Sequence, residues 1–154
     1  MKRKIWINTI ISLSLIVFIA SSCKKDSNTN DPNKLTDTVS TLSATIETMS
    51  YLPTYVDIIR DNRSLSIISF TGNQSLSIYL YDTITIGTHP LNGGIYSRAM
   101  YSPNNSNYFF SDSGSVDILE YDTINWKIKG TFNFVGNALG TTINVTNGAF
   151  EIFD

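Results

Sequence analysis

Gln74-Ser75-Leu76-Ser77-Ile78-Tyr79-Leu80-Tyr81 alternates apolar and polar side chains with a period of two. In an extended chain successive side chains leave opposite faces, so Leu76, Ile78 and Leu80 share one face and Ser75, Ser77, Tyr79 and Tyr81 the other. That is the pattern of a strand with one buried face; a helix would repeat its apolar residues three and four apart. Just upstream, Gly72-Asn73 separates this window from a second one, Ser64–Thr71, and reads as a hairpin turn.

Trp126 to Phe134 repeats the pattern, with Trp126, Ile128, Phe132 and Phe134 beside Gly130 and opposite Lys127, Lys129, Thr131 and Asn133. Similar windows place strands near Thr41–Thr48, Tyr55–Arg60, Tyr96–Tyr101, Ser115–Asp122 and Thr141–Phe153. Gly136-Asn137 to Gly140 reads as a longer hairpin loop. In the last strand Ile143 and Val145 are odd-numbered whereas Phe150 and Ile152 are even. A β-bulge at Asn147-Gly148, with the glycine left-handed, would keep both pairs facing the core; a tight turn there would instead make two short strands. Eight or nine short antiparallel strands with turns between them predict an all-β domain, a β-sandwich by preference, with a lipocalin-like β-barrel as the alternative.

Composition agrees. Gly, Ser, Thr, Asn, Tyr and Ile are abundant, and Ala, Glu and Lys are scarce beyond the N-terminal region. About 117 of the 154 residues read as globular, enough for one domain with one core. The formal net charge is −2; removing Lys2, Arg3 and Lys4 leaves 8 basic residues against 13 acidic, or −5. The remaining cations, Arg60, Arg63, Arg98, Lys127 and Lys129 among them, are scattered, which argues against nucleic-acid binding.

Met1-Lys2-Arg3-Lys4 is a positive start, Ile5 to Ala20 a mostly apolar run, and Ala20-Ser21-Ser22 a small-residue stretch that ends at Cys23, the single cysteine. This is a secretory signal layout, and the run is short for a transmembrane helix. Ala20-Ser21-Ser22-Cys23 resembles a bacterial lipobox. The resemblance implies cleavage before Cys23, acylation of its thiol by a diacylglycerol carrying chains such as palmitate, and a further chain on the new amino terminus. One acyl chain binds a membrane only marginally, at about 0.8 kcal/mol per buried CH₂, whereas two or three hold a protein stably.

Residues 23–38 then read as lipidated cysteine and tether. Lys24 to Thr38 is nearly free of apolar side chains and cannot offset its ordering entropy. A flexible chain of this length reaches about 20 Å. Asp26, Asn28, Asn30 and Asp31 have calcium-loop spacing, but Asp31 and Asp37 stand where an EF-hand loop needs Gly and Glu, so a solvated tether is the reading. The expected organisation is a signal peptide over 1–22, the tether over 23–38 and an all-β domain over 39–154.

The C-terminal half carries Tyr121-Asp122, then Gly130-Thr131-Phe132-Asn133-Phe134, then Val145-Thr146-Asn147-Gly148-Ala149-Phe150. These segments, within roughly residues 41–154, resemble a family of small β-rich bacterial lipoproteins without assigned function. The resemblance implies the cell envelope, in particular the outer membrane on its periplasmic or surface face. It carries no catalytic motif.

His89, the one histidine, sits in Gly87-Thr88-His89-Pro90 as a solvent-facing loop residue without a second His or Cys to join it in a metal site or triad. No nucleophile elbow or phosphate-cradling glycine loop occurs. Glu120 and Asp122 could share a strand face about 7 Å apart, and they read as solvated strand-end charges rather than a glycosidase pair. Asn92 to Phe110 is the most site-like stretch. There Tyr96, Tyr101 and Tyr108 with Asn104 and Asn105 offer the ring faces and amides that a sugar-binding loop uses, although aromatics of this kind also fill β cores. Asp37-Thr38-Val39, Asp82-Thr83-Ile84 and Asp122-Thr123-Ile124 resemble an Asp-Thr-aliphatic O-glycosylation site.

The expectation is therefore a non-enzymatic binding module without cofactor or metal. It is held to membrane lipid by its N-terminal acyl anchor and engages a glycan, a peptide or another envelope protein. A structural surface or fimbrial subunit is the alternative, and a hydrolase ranks behind both. Replacing the cysteine, Cys23→Ser, is expected to leave the precursor uncleaved and unacylated; intact mass and detergent-phase partitioning read the result, and normal processing of that variant refutes the anchor.

Overall fold

The computed structural model describes residues 39–61, 63–81, 84–94 and 97–153; the segments expected to be signal peptide and tether, with Cys23, lie outside them, as does Tyr96. The strands are β1 (Thr41–Ile46), β2 (Met49–Tyr51), β3 (Tyr55–Asp61), β4 (Ser64–Thr71), β5 (Gln74–Tyr81), β6 (Gly87–Pro90), β7 (Ser97–Ser102), β8 (Phe109–Asp122), β9 (Lys127–Ala138) and β10 (Thr141–Phe153). They hydrogen-bond side by side in one antiparallel path, β2-β1-β10-β9-β8-β7-β5-β4-β3, with β6 joining β8 where β7 has already diverged.

The all-β expectation holds, with no helix among the described residues. The preferred sandwich does not. Each strand finds its lateral partners within a single sheet, which curls into a half-barrel, so the barrel alternative is the nearer one. Inward side chains therefore meet across the curl rather than across two sheets. Leu65 and Ile67 of β4, Leu76, Ile78 and Leu80 of β5, Val116 and Ile118 of β8, Ile128, Phe132 and Phe134 of β9, and Val145, Phe150 and Ile152 of β10 are all buried. The alternation that marked β5 as a strand thus supplies the core.

The first and last strands in chain order, β1 and β10, pair with each other, Thr41 opposite Glu151 and Ile46 opposite Val145. The Ser40 hydroxyl donates to the Phe153 carbonyl at 3.1 Å and accepts from the Phe153 amide at 3.0 Å.

Turns follow from local chemistry. Gly72-Asn73 makes the two-residue β4–β5 hairpin, with Thr71 opposite Gln74 and the left-handed φ at Gly72. The β9–β10 hairpin is tighter than the expected long loop. Ala138 faces Thr141, and Leu139 and Gly140 both take positive φ, 51° and 84°, as a type I′ turn requires.

The bulge in β10 is present: the register shifts between Val145 and Gly148, and both Val145 and Phe150 stay buried. The left-handed residue is Asn147, φ 51°, rather than the glycine. Gly148 serves space instead of conformation, since a Cβ there would stand 2.6 Å from the Phe132 ring.

Two expectations change. Trp126 is not a strand residue: it closes the β8–β9 turn with φ 53° and is exposed, its ring under the Arg60 guanidinium at 4.2 Å. Strands β2 and β6, of three and four residues, were not expected; neither is long enough to establish a period.

Gly148→Ala is expected to destabilise the domain by about 1–3 kcal/mol through overpacking against Phe132, read as a lower urea midpoint. Leu139→Asn should stabilise it by about 1 kcal/mol, because asparagine tolerates the left-handed region that leucine occupies there under strain; thermal melts of the two proteins check this.

Candidate functional site

The half-barrel leaves two sheet edges. β2 covers β1 only from Ala44 to Ile46. Among the described residues, Thr41–Ser43 therefore pairs on one side alone, with β10. β3 likewise pairs only with β4. Residues 52–54 carry the chain from one edge to the other, and the Thr54 amide donates to the Phe70 carbonyl of β4 at 2.9 Å.

Between the edges lies a cleft of about 530 Å³. Residues 39–43 wall one side and Leu52, Pro53, Thr54 and Val56 the other; it continues along residues 129–131 of β9 and 149–151 of β10 to Leu119. The lining is mostly apolar. Leu52 and Leu119 rim it at 65% and 56% exposure, where solvated apolar side chains are costly. Leu119 stands out because it is the extra residue where the β8 register slips between Ile118 and Glu120.

The two edges are not equivalent. On β3 the Asp57 carboxylate accepts from the Ile58 amide at 2.8 Å, and the Tyr55 hydroxyl donates to the same carboxylate at 2.6 Å. Held in this way, a side chain occupies a backbone donor, and this blunts an edge against an incoming strand. The Thr41–Ser43 edge carries no such block among the described residues.

Behind the cleft Tyr51 brings a polar group into the core. Tyr51 of β2 is buried, its hydroxyl 3.1 Å from the Ser69 carbonyl and 3.2 Å from the Ser69 hydroxyl. Its ring meets Tyr101 edge to face at 6.2 Å. Burial raises the pKa of both phenols, so they stay neutral hydrogen-bonding groups.

The expected aromatic and amide loop is not gathered into one platform. Tyr101 is 4% exposed and belongs to the core on β7. Asn104, Asn105 and Tyr108 do share the exposed loop between β7 and β8. There the Asn104 side-chain Oδ1 accepts from the Ser106 and Asn107 amides, and the Tyr108 hydroxyl donates to the Asn105 backbone carbonyl at 2.9 Å. These groups hold the loop's own shape.

His89 is half-buried in β6 rather than in a loop, its Nε2 2.8 Å from the Thr85 carbonyl. Glu120 pairs with Lys127 at 2.9 Å, and Lys127 reaches Glu151 at 3.0 Å, which also lies 3.5 Å from Lys129. The Lys127 ammonium bonded to Glu151 holds that carboxyl below its usual range. Asp122 accepts from the Ile124 and Asn125 amides and from the Asn125 side chain, bonds that lower its pKa. Both carboxylates weighed as a pair thus serve a turn and an ion cluster. No group of three or more metal-ligating side chains occurs among the described residues. The cleft itself escaped sequence reading, because Leu52-Pro53 marks only the end of a strand and nothing local says that two distant edges meet there.

Residues 40–152 match a protein family described as a domain of unknown function, DUF6252. No curated protein and no solved structure matches the chain. With the matched span running from just before β1 to the penultimate residue of β10, the chain belongs to the DUF6252 domain family.

Proposed function

We propose that the protein is a lipid-anchored envelope module that binds rather than catalyses, and that its seat is the cleft beside β1. The occupant is an extended segment of a partner protein. Its backbone pairs with the open Thr41–Ser43 edge in line with β2, and its alternate apolar side chains enter the cleft. The observation that carries this reading is the open strand edge on an apolar cleft, opposite a second edge blocked by Asp57. Strand addition draws affinity from main-chain hydrogen bonds and specificity from pockets for every second side chain. The cleft lies within the usual range for ligand sites. The anchor rests on Cys23 and the signal layout around it; the non-enzymatic character rests on carboxylates and a histidine engaged in local structure.

The test uses full-length protein in detergent micelles, panned against displayed random peptides. The selected peptides should alternate apolar residues and slow hydrogen exchange at those alternate amides within Thr41–Ser43 that do not already face β10. Leu52→Asp, at an exposed rim position, should keep the wild-type melting temperature and weaken binding by at least about tenfold. Peptides that protect another strand, or that bind Leu52→Asp equally well, overturn the reading.

A further inference from the structure

The outer face of the sheet carries a second concavity, away from the cleft. In register, Ser66 of β4 stands opposite Tyr79 of β5, and Tyr79 opposite Arg98 of β7. The alternation that sends Leu65, Leu80 and Ala99 inward sends these three outward. The Arg98 guanidinium lies over the Tyr79 ring, 5.0 Å from its centroid. A pocket of about 310 Å³ opens there, lined by this row together with Ser64, Ser97, Tyr81 and Gly94.

Other cations around the sheet are engaged: Lys127 pairs with Glu120 and Glu151, Lys129 pairs with Glu151, and the Arg60 guanidinium lies over Trp126. Arg98 is exposed and makes no ion pair with any described residue. A guanidinium held over a ring still has N–H groups to offer, and these can grip a carboxylate in bidentate fashion. Beside it, the hydroxyls of Ser64, Ser66 and Ser97 bond to no other described residue. Each can both donate and accept, as the hydroxyls of a sugar do. The pocket is at the small end of ligand sites, the size for one ring rather than a long chain.

We propose that this pocket binds a uronic-acid unit of a glycan. The sugar carboxylate sits on the Arg98 fork, its hydroxyls exchange hydrogen bonds with Ser64 and Ser66, and a C–H face of the ring rests against the tyrosines. A neutral sugar lacks the group that Arg98 recognises, and a bare phosphate lacks the hydroxyl set that the serines recognise. The site shares no residue with the cleft beside β1, so it stands or falls independently of that seat.

The experiment is calorimetric titration of the full-length protein in detergent with disaccharides of galacturonate, glucuronate and mannuronate. A neutral galactose disaccharide and inorganic phosphate serve as controls. At least one uronate should bind, the neutral disaccharide should not, and phosphate should not displace the uronate at equal concentration. Arg98→Gln should weaken binding by about tenfold or more, with Arg98→Lys intermediate because it keeps the charge and loses the fork. Ser66→Leu fills the pocket without touching the cation and should abolish binding; it decides the matter should Arg98→Gln fail to fold. No binding by any uronate, binding unchanged in both Arg98→Gln and Ser66→Leu, or equal displacement by phosphate overturns the proposal.

Discussion

A sheet of this size has a large apolar inner face, and no helix among the described residues lies over it. That face can be buried only against itself, by curling. Everything else in the domain accommodates this one requirement. Curling brings Tyr51 of β2 over β4 and β7, where it meets Ser69 and Tyr101. It needs extra residues where the strands bend, and it needs glycine where a ring must cross a neighbouring backbone. The bulges at Asp112, Leu119 and near Asn147 supply the first. Gly130 supplies the second, for the Phe150 ring lies where its Cβ would be.

The same requirement explains why the domain is left open. A closed barrel would pair β1 with β3 along their length. Here β2 stops after three residues, and the linker crosses to β4 before such pairing can form. The edge nearest the linker is blunted by its own aspartate and the other is not. The cleft beside β1 is therefore a by-product of incomplete closure, placed where the curl runs out.

Much of the sheet was legible in the sequence because a half-buried strand writes its geometry as period two. β4, β5 and β10 begin and end where the alternation does. The phase change at Asn147-Gly148 announced its bulge. What failed were features set by non-local pairing. Whether strands form one sheet or two depends on which edges meet, and period two is the same in either case. Trp126 continues the alternation of β9 on paper but lies beyond the last pair, Asp122 with Lys127, so turn geometry takes it out to Arg60. Tyr101 was read with its loop neighbours, yet strand parity carries it inward beside Tyr51. The row Ser66, Tyr79 and Arg98 is visible only once register is known, since no two of the three are close in sequence.

The pairing of β1 with β10 has a mechanical consequence. A pull transmitted through residue 39 runs along β1, parallel to the strand and perpendicular to its hydrogen bonds. Such a load shears the ladder, and its bonds resist together instead of opening one at a time as they would in peeling. β1 is also the strand that borders the cleft, so force entering there acts first on residues 39–43 that line it, and passes to the sheet through the ladder with β10.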